Sequence, residues 1–423
     1  MKFLHIADVH LGCTRYNLSE SAEDFFRSWV DVLERYAIRP AVDFVLIAGD
    51  FFHKRNLTPE AMNHAFVGLD KLRSCHIPVV AIEGNHDQRP TDQKESWLRT
   101  LSKWQLLNLL ETESREGKVT HRPFDNESRL GGYIDINRAR IFGCSWYGAM
   151  LDRALTSIAD SIKQNSRQDA FQILLLHTDV EGYQRHPSPG LSLAKLQSLK
   201  GLVHYIGLGH THVNYSIDNW AFNPGSLEVT SISEYHETRG VYLVTVNDDN
   251  SFTAEHLTDY YFRPFSRLRF TIEADETPDE VKSRYKEFIQ ENRERLIRLS
   301  PPPIVEITLA GKLGFAASAL AIADLRQIAL DAFEALAVRI KNLTTPAETE
   351  ILPQEASAAP YELELEVAKK LIARDRRFSS DPDIFAKAAI AAKQMALSSE
   401  PPENIAGLIG AALDEYSTKA PVN

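Results

Sequence analysis

Five short apolar runs, each ending in a polar cluster, constrain this chain more than any other feature. Phe3 to Ala7 leads into Asp8 and His10, and Phe44 to Ala48 into Gly49 and Asp50. Val79 to Ile82 leads into Gly84, Asn85, His86 and Asp87, Ile173 to Leu176 into His177, and Tyr205 to Leu208 into Gly209, His210, Thr211 and His212. Such runs predict buried strands. Between several of them lie helix-length stretches with apolar residues three and four apart, as in Phe25, Trp29, Val32, Leu33 and Tyr36, or Ala65, Leu69 and Leu72. Strand alternating with helix predicts an α/β fold with helices on the faces of its sheets. Ligands in such folds bind beyond the carboxyl ends of the strands, where the polar clusters fall.

At 423 residues the chain suits two or three domains. YLVTVNDDNSFTAEHL from about Val241 reads as two strands around a polar turn and closes a first domain, residues 1–265. Residues 266–343 read as a smaller α+β unit: strand RLRFTIEA, a helix from Pro278 to about Leu299, strand PIVEITLAG and a helix from about Ala323. Residues 344–360, rich in Pro, Ala and Glu and without periodicity, read as a linker. Residues 361–423 return to helical spacing, with two helix-length segments flanking Asp375 to Pro382.

Composition excludes some classes. No apolar run is long enough to span a bilayer, and MKFLHIADVHLG is no signal peptide, so the expectation is a cytoplasmic protein with no membrane partner. Cys13, Cys75 and Cys144 are odd in number and lack CxxC spacing, which argues against disulfides and a zinc ribbon. The net charge of −11 counts against nucleic-acid binding. Bound divalent cations, absent from that formal sum, would oppose it locally.

A phosphodiester resists attack by water because it is anionic, and two metal ions about 3.5–4 Å apart can both neutralise it and activate water. Binding them takes imidazoles and carboxylates. Asp8, His10, Asp50, Asn85, His177, His210 and His212 all stand at or just beyond the carboxyl end of a predicted strand. This mixed nitrogen and oxygen set favours two divalent ions of manganese, iron or zinc over calcium or magnesium.

The order Asp-x-His, Gly-Asp, Gly-Asn-His-Asp, a lone His, then Gly-His-x-His resembles the calcineurin-like metallophosphoesterases. The resemblance implies that Asp8, His10 and His212 hold one metal, that Asn85, His177 and His210 hold the other, and that Asp50 bridges. It also implies that His86 stands over the scissile phosphate, where Asp87 would be expected to fix its tautomer. The GDFFH form of the second motif lacks the Asp-Arg-Gly of phosphoprotein phosphatases. Together with the opening MKFLHIADVHLG, the GNHD motif and Asn223-Pro-Gly-Ser226, it is similar to the SbcD-type nucleases of DNA double-strand-break repair.

That likeness covers about residues 1 to 260 and implies a manganese-dependent DNA exo- and endonuclease, with His53 acting toward the substrate strand. It further implies that 266–343 is a capping domain that grips DNA, that 361–423 docks on an SbcC-like ABC-type ATPase with a coiled coil, and that the chain forms a homodimer. Lys282, Arg284, Lys286, Arg293, Arg295 and Arg298 bias the first capping helix toward positive charge, although interleaved glutamates also suit a solvated face. A small-molecule or cyclic-nucleotide phosphodiesterase and a DNA-end-binding scaffold are the competing readings.

Overall fold

The computed structural model describes residues 1–115, 118–184, 190–346, 360–373, 381–398 and 400–419. It divides into two compact units: Met1–Ser266 with Leu296–Val305 and Ala335–Ala337, and Arg267–Arg295 with Glu306–Glu334 and the described part of Val338–Asn423.

The first unit is built on two six-stranded sheets. One runs in the order Phe252–Leu257, Val241–Val246, Lys2–Ile6, Phe44–Ala48, Val79–Ile82, Asn108–Leu109. The three strands that open the chain's motifs are mutually parallel, and Val241–Val246 joins them antiparallel. The other sheet runs Tyr215–Ile217, Ala221–Asn223, Tyr205–Gly209, Phe171–His177, Ala139–Gly143, Tyr133–Ile136, with Tyr205–Gly209 and Phe171–His177 parallel. All five predicted strands are present, and every motif lies at a carboxyl end.

The two-residue alternation of a strand sorts their side chains into layers. Phe3, Phe44, Leu46, Val80 and Ile82 share one core with Phe171, Ile173, Leu175 and Tyr205 of the second sheet. The intervening Leu4, Ile6, Val45, Ile47 and Ala81 pack instead with Trp29, Val32, Leu69 and Leu72 from helices Glu20–Val32 and Pro59–Ser74. On the far face of the second sheet, Leu174, Leu176, Ile206 and Leu208 pack with Leu155, Ile158 and Ile162 of helix Leu151–Gln164. The result is a sandwich of two sheets between outer helices, the expected metallophosphoesterase architecture.

The second unit holds most of a sheet ordered Phe265–Ile272, Ile304–Leu313, Ala337–Asn342, with Thr345–Pro346 pairing to Ile304–Leu313. Helix Pro278–Ile297 buries Val281, Tyr285 and Ile289 at four-residue spacing, and Tyr285 meets Phe270 edge-on at 5.2 Å. Three helices follow where two segments were expected: Pro360–Ile372, Pro382–Leu397 and Pro402–Lys419. The third begins at the Pro401-Pro402 stop, which a reading by apolar spacing alone runs through. Residues 347–359 of the expected linker, and 374–380 between the first two helices, lie outside the described residues. No helix among the described residues is long and apolar enough to cross a membrane.

One buried polar group in the sandwich has a consequence for acid stability. The Tyr205 hydroxyl donates to His5 Nδ1 at 2.9 Å, and His5 Nε2 donates to the Leu208 carbonyl at 3.2 Å, so the imidazole is neutral with both nitrogens used. Burial pushes its pKa down to about 3, against a partial rise from the Leu208 carbonyl. The unfolded chain therefore binds a proton below about pH 6.5 that the folded chain refuses, and stability falls with pH across that window. Urea unfolding between pH 6.5 and 4 should show a flatter dependence for His5→Gln, by up to about 1.4 kcal/mol per pH unit.

Candidate metal centre

The ligand candidates sit on loops that leave their strands abruptly. Asp8, His10, Asp50 and His210 all adopt positive φ, at 51°, 51°, 49° and 94°. Each such residue costs about 1–3 kcal/mol and persists only where its surroundings enforce it. The enforcement is visible here. His10 N donates to the Asp50 carbonyl at 3.0 Å, Asp8 N to the Gly49 carbonyl at 3.1 Å, and His210 N to both Asp8 carboxylate oxygens at 3.1 and 3.0 Å.

Glycines clear the space between them. A Cβ on Gly84 would stand 2.1 Å from Asp50 Oδ1, and one on Gly49, itself at φ +86°, would stand 2.3 Å from His177 Nδ1.

Two groups that mix carboxylate and imidazole converge, Asp8, His10 and His212 in one and Asp50, His177 and His210 in the other, beside an all-histidine group of His10, His53 and His86. Asp50 Oδ2 lies 3.3 Å from His177 Nε2 and 3.9 Å from His10 Nε2, and so addresses both groups. Asn85 Oδ1 lies 3.2 Å from His177 Nε2. All seven sequence-predicted ligands are thus brought together in one cluster.

Hydrogen bonds on the far sides of the rings fix which nitrogens face inward. His177 Nδ1 donates to the Ala48 carbonyl at 2.8 Å, and His212 Nδ1 donates to Glu234 Oε1 at 3.1 Å, which turns each Nε2 toward the cluster. His212 Nε2 then meets His10 Nε2 at 3.0 Å. Neutral His177 would set a bare nitrogen against the Asn85 carbonyl and the Asp50 carboxylate, and a proton or a cation must lie between them. Burial alone would lower the pKa of His177, but the Asp50 and Asp8 carboxylates outweigh it and hold it up at about 9. The same imidazole, with His10 and His86, overcomes the burial that would raise Asp50 and holds that carboxyl well below its usual range. Asp8 responds the other way, raised to about 6 chiefly by burial. Inward-facing imidazole nitrogens around buried carboxylates suit divalent cations of the nitrogen-tolerant kind.

His53 and His86 stack at 5.5 Å beside this cluster, each near His10. Burial and the neighbouring His86 push His53 down to about 4, so it is neutral at neutral pH. His86 N donates to Asp50 Oδ1 at 2.9 Å, and its Nδ1 donates to the His53 carbonyl at 2.7 Å, which leaves Nε2 free.

Asp87 departs from expectation. Its carboxylate accepts from the backbone N–H groups of Phe51, Phe52 and Gly84 at 3.1, 2.9 and 3.0 Å, so the His53 carbonyl, not Asp87, sets the His86 tautomer. An aspartate whose two oxygens are saturated by three backbone donors organises the loops on which Asp50 and His86 ride.

Sequence reasoning missed the supports of the second motif pair. Glu234, which orients His212, also accepts from Thr230 Oγ1 and is held down at about 2 by the His212 and Thr230 contacts against its burial. Asp179 accepts from Thr211 Oγ1 at 2.6 Å and lies 3.7 Å from His210 Nε2. Asn223 of Asn-Pro-Gly-Ser, fully buried, donates to the carbonyls of Thr211 and Val213 and so braces the Gly-His-x-His loop. Asp179, two residues after His177, and Asn223, in the Asn-Pro-Gly-Ser motif, had positional cues; Glu234 had none.

Fold and site together define a two-metal phosphoesterase. Residues 1–214 match the family described as Calcineurin-like phosphoesterase, half of the chain, and the protein belongs to that family. It is similar to the DNA double-strand break repair protein Mre11 of Archaeoglobus fulgidus, 44% identical over 136 residues that are 32% of this chain and 30% of that protein. The namesake protein of Methanococcus maripaludis is 28% identical over 275 residues, 63% of this chain and 68% of the relative. An uncharacterised metallophosphoesterase of Bacillus subtilis, YhaO, is 28% identical over 275 residues, 61% of each chain. The matched region thus spans from less than a third to about two thirds of these relatives' lengths.

Because Gly84 gives Asp50 its room, Gly84→Ala should displace that carboxylate and weaken both metals together. Elemental analysis after dialysis against manganese is expected to show well under two ions per chain, with the circular dichroism spectrum unchanged.

Proposed function

We propose that this protein is a metal-dependent DNA nuclease of double-strand-break repair, cleaving phosphodiester bonds at DNA ends both exo- and endonucleolytically. The observation that carries the reading is a carboxylate shared between two ligand groups that mix carboxylate and imidazole, with two further imidazoles, His53 and His86, stacked beside it and kept in this reading for the phosphate. The similarity to double-strand break repair proteins supports DNA as the substrate.

In this reading Asp8, His10 and His212 hold one ion, Asn85, His177 and His210 the other, and Asp50 bridges. The ions, which the donor set restricts to manganese, iron or zinc and the likeness to the nucleases makes manganese, would supply positive charge for the phosphate and an acidified water. The chain does the rest. Glu234 and the Ala48 carbonyl keep His212 and His177 in the tautomer that presents Nε2. His86, its Nδ1 proton committed to the His53 carbonyl, exchanges a proton with the leaving oxygen through Nε2. Neutral His53 positions the strand.

Residues 266–343 serve as a capping domain in this scheme, but the basic face of their first helix is largely neutralised. Lys282 pairs with Asp324 at 2.9 Å, Arg284 with Glu276 at 2.6 Å and Arg293 with Glu334 at 3.7 Å. That favours the solvated-face reading of this helix. The helices of 361–423 bury few large side chains and leave Leu371, Leu397 and Ile409 exposed by 53%, 76% and 46%. A bundle with so thin a core supports its use as a docking element for the coiled coil of an ABC-type ATPase, by helix-in-groove packing. A homodimer is proposed with it.

Purified protein with manganese should cut linear duplex or hairpin DNA in preference to cyclic nucleotides, and preference for the latter would overturn the assignment. His86→Ala is expected to keep both metals and DNA affinity and to lose cleavage by roughly 10²-fold or more. A chain ending at Thr345 should hydrolyse bis(p-nitrophenyl) phosphate like the full protein and fail to co-purify with a co-expressed ATPase. Retained co-purification would place the docking surface elsewhere.

A further inference from the structure

The loop that carries Asn85 and His86 has a second side. There Glu83, Gln88, Arg89 and the segment through Lys103 enclose a cavity of about 780 Å³, with Arg55 at one edge. Arg55 is tied to the metal loop directly: its Nη2 donates to the Asn85 carbonyl at 3.2 Å and to Gln88 Oε1 at 2.9 Å.

The charges lining this cavity divide into two kinds. Arg99 pairs with Glu111 and Lys103 with Glu95, while Glu83 accepts from Ser96 and burial pushes its carboxyl up to about 7, so these groups shape the wall and add little net charge. Arg55, Arg89 and Lys94 are exposed and have no carboxylate partner among the described residues; Arg89 reaches only the Gln93 carbonyl, at 3.2 Å. Three uncompensated cations around one concavity stand out on a chain of net charge −11. They form an anion site against the prevailing field. The volume falls within the ~300–1,000 Å³ of pockets that enclose a small organic ligand, enough for a nucleotide or two and too little for a duplex. Leu130, half exposed at the rim, offers apolar area to a base.

We propose that this cavity is a single-strand subsite: it takes one or two unpaired nucleotides flanking the phosphate at the metal centre, whose backbone phosphates pair with Arg89 and Lys94. The proposal rests on the nuclease reading and adds to it that the strand is held unpaired on this side of the cut.

Binding and cleavage separate the two ideas. Arg89→Glu with Lys94→Glu changes two exposed side chains that touch neither ligand group. By fluorescence anisotropy with a labelled phosphorothioate oligothymidylate, the double variant should bind about tenfold more weakly at 0.1 M salt. Its slope of log affinity against log salt should be shallower by about 1.4, at roughly 0.7 per single-strand phosphate. Hydrolysis of bis(p-nitrophenyl) phosphate, which is too small to reach the cavity, should be unchanged. Equal affinity and slope for the variant and the parent would overturn the subsite, as would an equal loss for a blunt duplex. A parent protein that binds the oligonucleotide yet cleaves no DNA would remove the nuclease reading and leave the subsite standing.

Discussion

Everything in the metal centre depends on how Asp50 is held. Its Oδ1 accepts from the backbone of His86, its Oδ2 faces His177 and His10, and its own backbone carbonyl receives His10 N. One residue thus ties the ends of three parallel strands of the first sheet to a histidine of the second. This is possible only where the two sheets pinch together. A Cβ on Gly209 would stand 2.2 Å from the Ala48 carbonyl, the same carbonyl that fixes His177. The motif glycines Gly49, Gly84 and Gly209 are therefore the sites of closest approach between backbones and ligands, and the large aromatic residues Phe3, Phe44, Phe171 and Tyr205 hold the sheets apart elsewhere.

What was legible in the sequence follows from this geometry. Central parallel strands need unbroken apolar runs, and polar side chains that converge beyond them must follow immediately, so the strands and all seven candidate ligand positions could be read together. Edge strands such as Asn108–Leu109 and Tyr215–Ile217 are too short to carry a pattern. The supporting residues were invisible for another reason. Glu234 lies 22 residues beyond His212, and its role depends on a short turn at Ile232–Glu234 that nothing in the local sequence marks as facing a metal site. For Asp87, adjacency to His86 suggested a partnership, but consecutive side chains in a turn point apart, and backbone donors from the Asp50 loop claimed the carboxylate first.

The segment bearing Glu234 is itself anchored by charges that contribute no ligand. Arg15, buried beneath stacked contacts with Phe25 and Phe265 at 5.0 Å each, pairs with Asp24 at 2.7 Å and with Glu228 at 3.0 Å. Arg263 closes the set, donating to both Asp24 oxygens at 2.6 Å, and its backbone N–H donates to Glu228 Oε2 at 2.8 Å. Two guanidinium groups and two carboxylates balance one another. Removing one member of such a network strands a buried charge, at about 3–5 kcal/mol, whereas the intact set contributes little net stability. Its effect is on register: Arg15 also donates to the Val229 carbonyl at 2.8 Å, which fixes the start of the turn that delivers Glu234 to His212.

The same logic of pairing shows how a chain of net charge −11 can keep a local positive surface. Many cations are spent on local carboxylates, including Lys282, Arg284 and Arg293 of the helix Pro278–Ile297 whose sequence looked most basic. Composition along a helix therefore overstates its usable charge, because glutamates four residues away or on the neighbouring strand answer it. Arg55, Arg89 and Lys94 remain without a carboxylate partner among the described residues because Glu95 and Glu111 of the same cavity are engaged by Lys103 and Arg99, and burial raises the Glu83 carboxyl. Positive potential at short range depends on which charges remain unanswered, and next to the metal loop Arg55, Arg89 and Lys94, around one cavity, are among them.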